Sequence, residues 1–217
     1  VCIGMSLVIV VRHAQWLMSR LPRWGDILSW CIMLVWTVYI ALAQRTHVTL
    51  AVPGVEKDFR SFASRSDTLS TVFAADPFYN LGYPFIIHML RQLTGMSAFD
   101  SARWWAVVVA SIALLATWWL SRFVVGQCWA VLMTIAVASS SLFSQYALSI
   151  GSDMTFTAVC TLAFAMLVRA PARPYWYLWA GVLAGIAFLV RHTGIVLILT
   201  MIVWQIAHAP RSRTTIR

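Results

Sequence analysis

Six apolar runs dominate this chain, at about 27–44, 104–124, 128–148, 154–169, 175–190 and 193–208. Each reads as a helix spanning a hydrocarbon layer of about 30 Å, and none has a charge near its centre. Charged residues make up 11% of the sequence, against roughly 25% in an ordinary water-soluble domain. So few cannot cover a wetted exterior. The pattern predicts an all-α integral membrane protein with about six transmembrane helices.

The formal net charge is +9, with 16 Lys and Arg against 7 Asp and Glu. Apart from Arg211, Arg213 and Arg217 in the tail, the basic residues are dispersed and sit at the ends of the apolar runs. That placement orients a membrane protein and contacts anionic lipid headgroups. The expected partners are therefore membrane lipids and not nucleic acid. Cys2, Cys31, Cys128 and Cys160 lie singly in apolar stretches with no CxxC spacing, and read as structural thiols. The chain begins at Val1, and residues 1–10 are apolar and precede Arg12 and His13. This is the wrong charge order for a secretory signal peptide, so the expectation is a start at Met5 or a fragment of a longer chain.

Three segments follow from the runs: a cytoplasmic or interfacial segment 1–26, a single transmembrane domain 27–208, and a basic tail 209–217. Residues 45–103 form a long, polar first loop that holds Glu56, Asp58, Asp67, Asp76 and Asp100. Its apolar stretch 81–93 is too short to span and reads as an interfacial helix. With 81–93 outside the bilayer and the N-terminus inside, Arg12, Arg20, Arg23, Arg122, Arg169, Arg173 and the tail all fall on the cytoplasmic side. If 81–93 spanned, the helices after it would invert and carry those later arginines outside, against the positive-inside rule. The expected location is the cell membrane, multi-pass, with both termini cytoplasmic. All acidic residues but Asp26 then lie on the outer face, which points to an outward aqueous site.

Four local patterns stand out: Lys57-Asp58-Phe59-Arg60-Ser61-Phe62, Tyr79-Asn80-Leu81-Gly82-Tyr83-Pro84, Tyr146 to Met154 with its polar Ser149-Ile150-Gly151-Ser152-Asp153 break, and Ala184-Gly185 to Thr193-Gly194. In order and spacing they resemble the N-terminal half of the GT-C superfamily of membrane glycosyltransferases, among them dolichyl-phosphate-mannose protein mannosyltransferases and aminoarabinose transferases. The resemblance covers about 27–208. It implies a catalytic carboxylate in the first extracytoplasmic loop, where Asp58 sits, and a second at Asp153. Family members usually carry Asp-Glu or Glu-x-x-x-Tyr in that loop, whereas Phe59 follows Asp58 here, so Asp67 and Asp76 stay in competition.

The implied function is transfer of a sugar from a polyprenyl-phosphate donor to a hydroxyl of a lipid, glycan or protein acceptor on the extracytoplasmic face, with inversion. A carboxylate would take the acceptor's proton, and general-base help of this kind is worth about 10²–10⁴-fold. Arg60, Arg91 and Arg191 are the candidates for holding the donor phosphate, because a guanidinium fork matches two phosphate oxygens. No metal ligand set is visible; a divalent cation would need several converging oxygens.

Structural roles compete at each position. Asp58 also reads as a solvated partner of Lys57 or Arg60, Asp153 as a helix cap, and Arg191 as an interfacial arginine. His88 and His192 read as interfacial polar residues. Gly181-x-x-x-Gly185 reads as a close helix contact. Trp104, Trp105, Trp118, Trp119, Trp176 and Trp179 read as an interfacial belt. Two other functions stay open: a polytopic transporter or lipid flippase, and an inactive fragment of a glycosyltransferase. Transporters usually show internal repeats and mid-span charges, and neither is present.

Overall fold

The computed structural model describes residues 22–46, 55–74 and 79–208. Among these every regular element is helical: α1 (Pro22–Thr46), α2 (Val55–Arg65), α3 (Leu69–Val72), α4 (Gly82–Thr94), α5 (Ala98–Val124), α6 (Gln127–Ala138), α7 (Ser141–Leu148), α8 (Ser152–Arg169), α9 (Tyr175–Val190) and α10 (Gly194–His208). Three helices are long and apolar enough to cross a membrane: Trp24–Arg45 within α1, then α5 and α8. The pair α6 and α7 makes a fourth candidate, bent by 61°. The apolar helices α9 and α10 have 16 and 15 residues, or about 22–24 Å at 1.5 Å per residue.

The expected unbroken span over 128–148 is thus two helices. The break falls at Ser139-Ser140-Ser141, where hydroxyls compete with the helical backbone ladder. Ser139 donates its Oγ to the Ala136 carbonyl, and Ser140 Oγ accepts from the Phe143 amide, capping α7.

Large apolar side chains stand exposed along α1 (Leu34, Val35, Tyr39), α9 (Leu178, Trp179) and α10 (Val196, Val203, Ile206). A water-soluble monomer does not carry apolar faces this extensive; a bilayer supplies their surroundings. The protein is an integral membrane protein built of helices.

Inside, α5 and α8 form the centre. Met33, Trp36 and Ile40 of α1 pack with Val107, Ala110, Ala113 and Leu114 of α5 and Met154 and Ala158 of α8. A second cluster joins Ala163 and Leu167 of α8 to Ala180, Ala184 and Ala187 of α9 and Leu197 and Met201 of α10. Small residues let backbones approach closely where lipid provides no hydrophobic drive between helices. The expected Gly181–Gly185 contact is not made: a methyl added at either glycine meets no other atom within 4 Å. The buried stripe of α9 runs through Ala180, Ala184 and Ala187 instead, so both glycines turn away from it.

Short turns connect α5 through α10, so with α6 and α7 taken as one bent unit the helices alternate in direction and present two ends. At one end Arg122 pairs with Asp26 at 3.0 Å. There Arg169 also lies over the rings of Trp119, Phe123 and Trp176, at 5.5, 4.4 and 5.4 Å. At the other end Arg45 lies over Trp104 at 5.6 Å, and the loop helices α2 and α4 pack there.

The stretch read as interfacial is α4, tucked against α5 and α9 with Tyr83, Pro84, Ile87 and His88 buried. Gly82 makes this possible. A Cβ there would stand 2.6 Å from the Leu189 carbonyl oxygen and 2.9 Å from the Val190 nitrogen. Both are backbone atoms, which cannot rotate aside. Gly82→Ala is expected to cost about 1–3 kcal/mol through overpacking, read as a lower unfolding midpoint in detergent micelles. An unchanged midpoint would show that α4 does not rest on α9 this closely.

Candidate active site at the loop end of the bundle

Asp58 lies on α2, whose apolar side anchors it. Phe62 is buried edge-on against Tyr79 and Tyr83, with centroids at 5.3 and 4.9 Å, and Phe59 meets Phe99 at 5.8 Å. Residues four apart share a helix face. Asp58 therefore rises on the same side as the anchored Phe62, and both line one cavity. The Tyr79 hydroxyl donates to Asp58 Oδ1 at 2.8 Å.

Asp153 reaches the same cavity from the first turn of α8. It does not cap the helix: Gly151 is the N-cap, and no side chain bonds there. Its Oδ1 instead accepts from Arg191 Nη1, across 38 positions of sequence. Arg191 follows directly on α9 in an extended conformation (φ −147°, ψ 138°), which carries its side chain off the helix axis and over to α8. A carboxylate in the first turn of α8 also suits that helix's dipole. The turn holding Arg191 is pinned by Gly194, where a Cβ would stand 2.6 Å from the Ala187 carbonyl carbon.

The cavity has a volume of about 380 Å³. Asp58, Asp153 and Arg191 line it with Tyr79, Asn80, Tyr146, Ser149 and His192. Asn80 Nδ2 donates to the Phe188 carbonyl at 2.5 Å, tying the segment before α4 to the end of α9. Beneath, Tyr83 is buried with its hydroxyl against the Gly151 backbone, short of a well-formed hydrogen bond. Burial drives its acidity well below that of an ordinary phenol, and the Gly151 contact offsets this only in part. Tyr83 stays neutral and structural.

A second recess of about 440 Å³ opens beside the cavity, between α4, α5, α8 and α9. Its walls are apolar: Leu81, Phe85, Ile86, Val109, Ile112, Leu162, Ile186 and Leu189 among them. The polar atoms of Trp105 and Thr155, which also line it, are spent on each other at 3.0 Å. Val190 lines both spaces, so a carboxylate-rich chamber and an apolar crevice share a wall.

The other sequence candidates lie elsewhere. Arg91 pairs with Asp67 at 2.6 Å and donates to Ser66 Oγ at 3.2 Å, and neither Arg91 nor Asp67 lines the cavity. Arg60 is exposed on α2 and also outside the lining. Asp76 falls outside the described residues. His88 is buried, with Nδ1 2.8 Å from the Ser66 carbonyl. Among the described residues no three His, Cys, Asp or Glu side chains converge as a metal site would need. Tyr79, Asn80, Tyr146 and His192 were not given site roles from sequence. All four stand in the patterns singled out, beside the residues that carry those roles.

No curated protein and no solved structure matches the chain. A family model described as dolichyl-phosphate-mannose-protein mannosyltransferase matches residues 79–217. That span takes in Tyr79, Asp153, Arg191 and every wall of the apolar crevice, while Asp58 precedes it. With more than half of its length matched by that model, the chain belongs to the dolichyl-phosphate-mannose-protein mannosyltransferase family.

Proposed function

We propose that this membrane glycosyltransferase moves a sugar from a polyprenyl-phosphate donor to an acceptor hydroxyl, at the extracytoplasmic face of the cell membrane and with inversion. The observation that supports this reading best is the shared wall at Val190 between the carboxylate cavity and the apolar crevice. A lipid-linked sugar has the matching halves: an isoprenoid that seeks apolar surroundings and a sugar that needs polar ones. In this reading Asp58 removes the acceptor's proton as that oxygen attacks the anomeric carbon. The bond from that carbon to the phosphate oxygen breaks, and the lipid phosphate leaves with the electron pair. Arg191, held at the cavity by Asp153, stabilises the negative charge gathering on the leaving phosphate. One displacement inverts the anomeric configuration. The site end of the bundle faces outward and both termini are cytoplasmic, in keeping with the basic residues at the opposite end.

The test is transfer by the full chain reconstituted in liposomes, offered radiolabelled sugar either on a polyprenyl phosphate or on a nucleotide, with extracted membrane glycolipids and proteins as acceptors. Transfer from the lipid-linked donor alone is expected. Transfer from the nucleotide sugar, or none from the lipid donor while the chain remains folded, would overturn the reading.

A further inference from the structure

We infer that Tyr79 is a positioning residue that holds the Asp58 carboxylate in its working orientation, and that Arg65 in turn holds Tyr79. The inference rests on the reading of Asp58 as general base. The Tyr79 hydroxyl donates to Asp58 Oδ1 at 2.8 Å. An aspartate on an exposed helix face has two free torsions, and a bond to one oxygen removes most of that freedom. It leaves Oδ2 for the acceptor's proton. In the step, the acceptor O–H proton passes to Oδ2, the acceptor oxygen bonds the anomeric carbon, and the phosphate leaves. Tyr79 keeps its own proton throughout.

Tyr79 is itself held at its ring and at its carbonyl. Its ring stands edge-on to buried Phe62, centroids 5.3 Å apart. Its carbonyl accepts from Arg65 Nη1 at 3.2 Å, and the other Arg65 nitrogen, Nη2, donates to the Ala74 carbonyl. One guanidinium therefore bridges Ala74 and Tyr79 and fixes where the tyrosine enters the cavity. Arg65 and Asp58 both belong to α2, so the chain of contacts closes on the helix from which it began. A lysine at 65 would keep the charge but lacks the planar fork that reaches two carbonyls at once.

The experiment compares wild type, Tyr79→Phe, Asp58→Asn, the double variant and Arg65→Lys, all as reconstituted full chain with a polyprenyl-phosphate sugar. Tyr79→Phe keeps the ring and its packing. It is expected to lower kcat roughly ten- to a hundredfold, the scale of one charge-assisted hydrogen bond. The donor KM should stay within about twofold and the unfolding midpoint should hold, a split that mere structural damage would not give. Adding Tyr79→Phe to Asp58→Asn should slow transfer no further, because the two act as a unit. Arg65→Lys should lower kcat in the same sense. A wild-type kcat for Tyr79→Phe, or a full further loss in the double variant, would overturn the inference while leaving Asp58 as the base. A wild-type rate for Asp58→Asn would instead remove the base reading itself.

Discussion

Asp58→Asn is expected to slow sugar transfer by about 10²–10⁴-fold, the range spanned by loss of a positioned general base. The substitution is close to isosteric. The amide oxygen still accepts from the Tyr79 hydroxyl, which donates to this side chain at 2.8 Å, so the local geometry survives. What disappears is the ability to take a proton from the acceptor as its oxygen becomes nucleophilic. Asp58 is exposed on α2, so its replacement leaves no buried charge uncompensated, and the unfolding midpoint should hold. Initial rates with a radiolabelled polyprenyl-phosphate sugar, normalised to folded protein, measure the effect. Equal rates for wild type and variant would take Asp58 out of the mechanism. Asp67→Asn serves as the internal contrast: that carboxylate is engaged with Arg91 at 2.6 Å outside the cavity, and its loss should leave kcat near wild type.

Arg191→Met carries the second large effect, a fall in kcat of about 10²–10³-fold, as when one preorganised donor is removed from developing negative charge. The ion pair with Asp153 is half open to solvent, with side-chain exposures of 38% and 55%. Losing it therefore costs little stability, since exposed pairs contribute about 0–1 kcal/mol. A large drop in rate with a small drop in midpoint is the expected signature. Arg191→Lys should fall between, because an ammonium supplies charge without the bidentate fork. If methionine and lysine at 191 both transferred sugar at the wild-type rate, the leaving phosphate would have to find its counter-charge elsewhere.

Much of this arrangement is legible along the chain. The apolar runs reveal a helical membrane protein because charges are missing where a wetted surface would need them. Asp58 and Asp153 stand in polar stretches beside those runs, and the structure places both on one cavity. Long-range geometry was harder to read. Nothing in sequence shows that Arg191 reaches Asp153 rather than the interface, because the contact depends on the extended residue after α9 and on the close approach at Gly194. Arg91 and Asp67 illustrate the converse: they carry suitable charges in the suitable loop, yet satisfy each other. The break in 128–148 escaped because three serines within an apolar run barely lower its average hydropathy, while their hydroxyls end one helix and begin the next. The Gly181–Gly185 spacing was a true helical repeat on the wrong face of α9.

That serine break also sets a height. Helix α7 has eight residues and so is about 12 Å long at 1.5 Å per residue. Leaning 61° from α6, it advances only ~6 Å along that helix's direction and carries the chain ~10 Å sideways, roughly one helix diameter. A straight continuation would carry Asp153 and its neighbours farther along the direction of α6. The lean instead starts α8 where Asp153 meets Arg191 at the end of α9, beside the apolar crevice. In the proposed reaction the sugar would then meet these carboxylates without its lipid anchor leaving the apolar crevice, and hydroxyls that touch no substrate would set where along the bundle the chemistry sits.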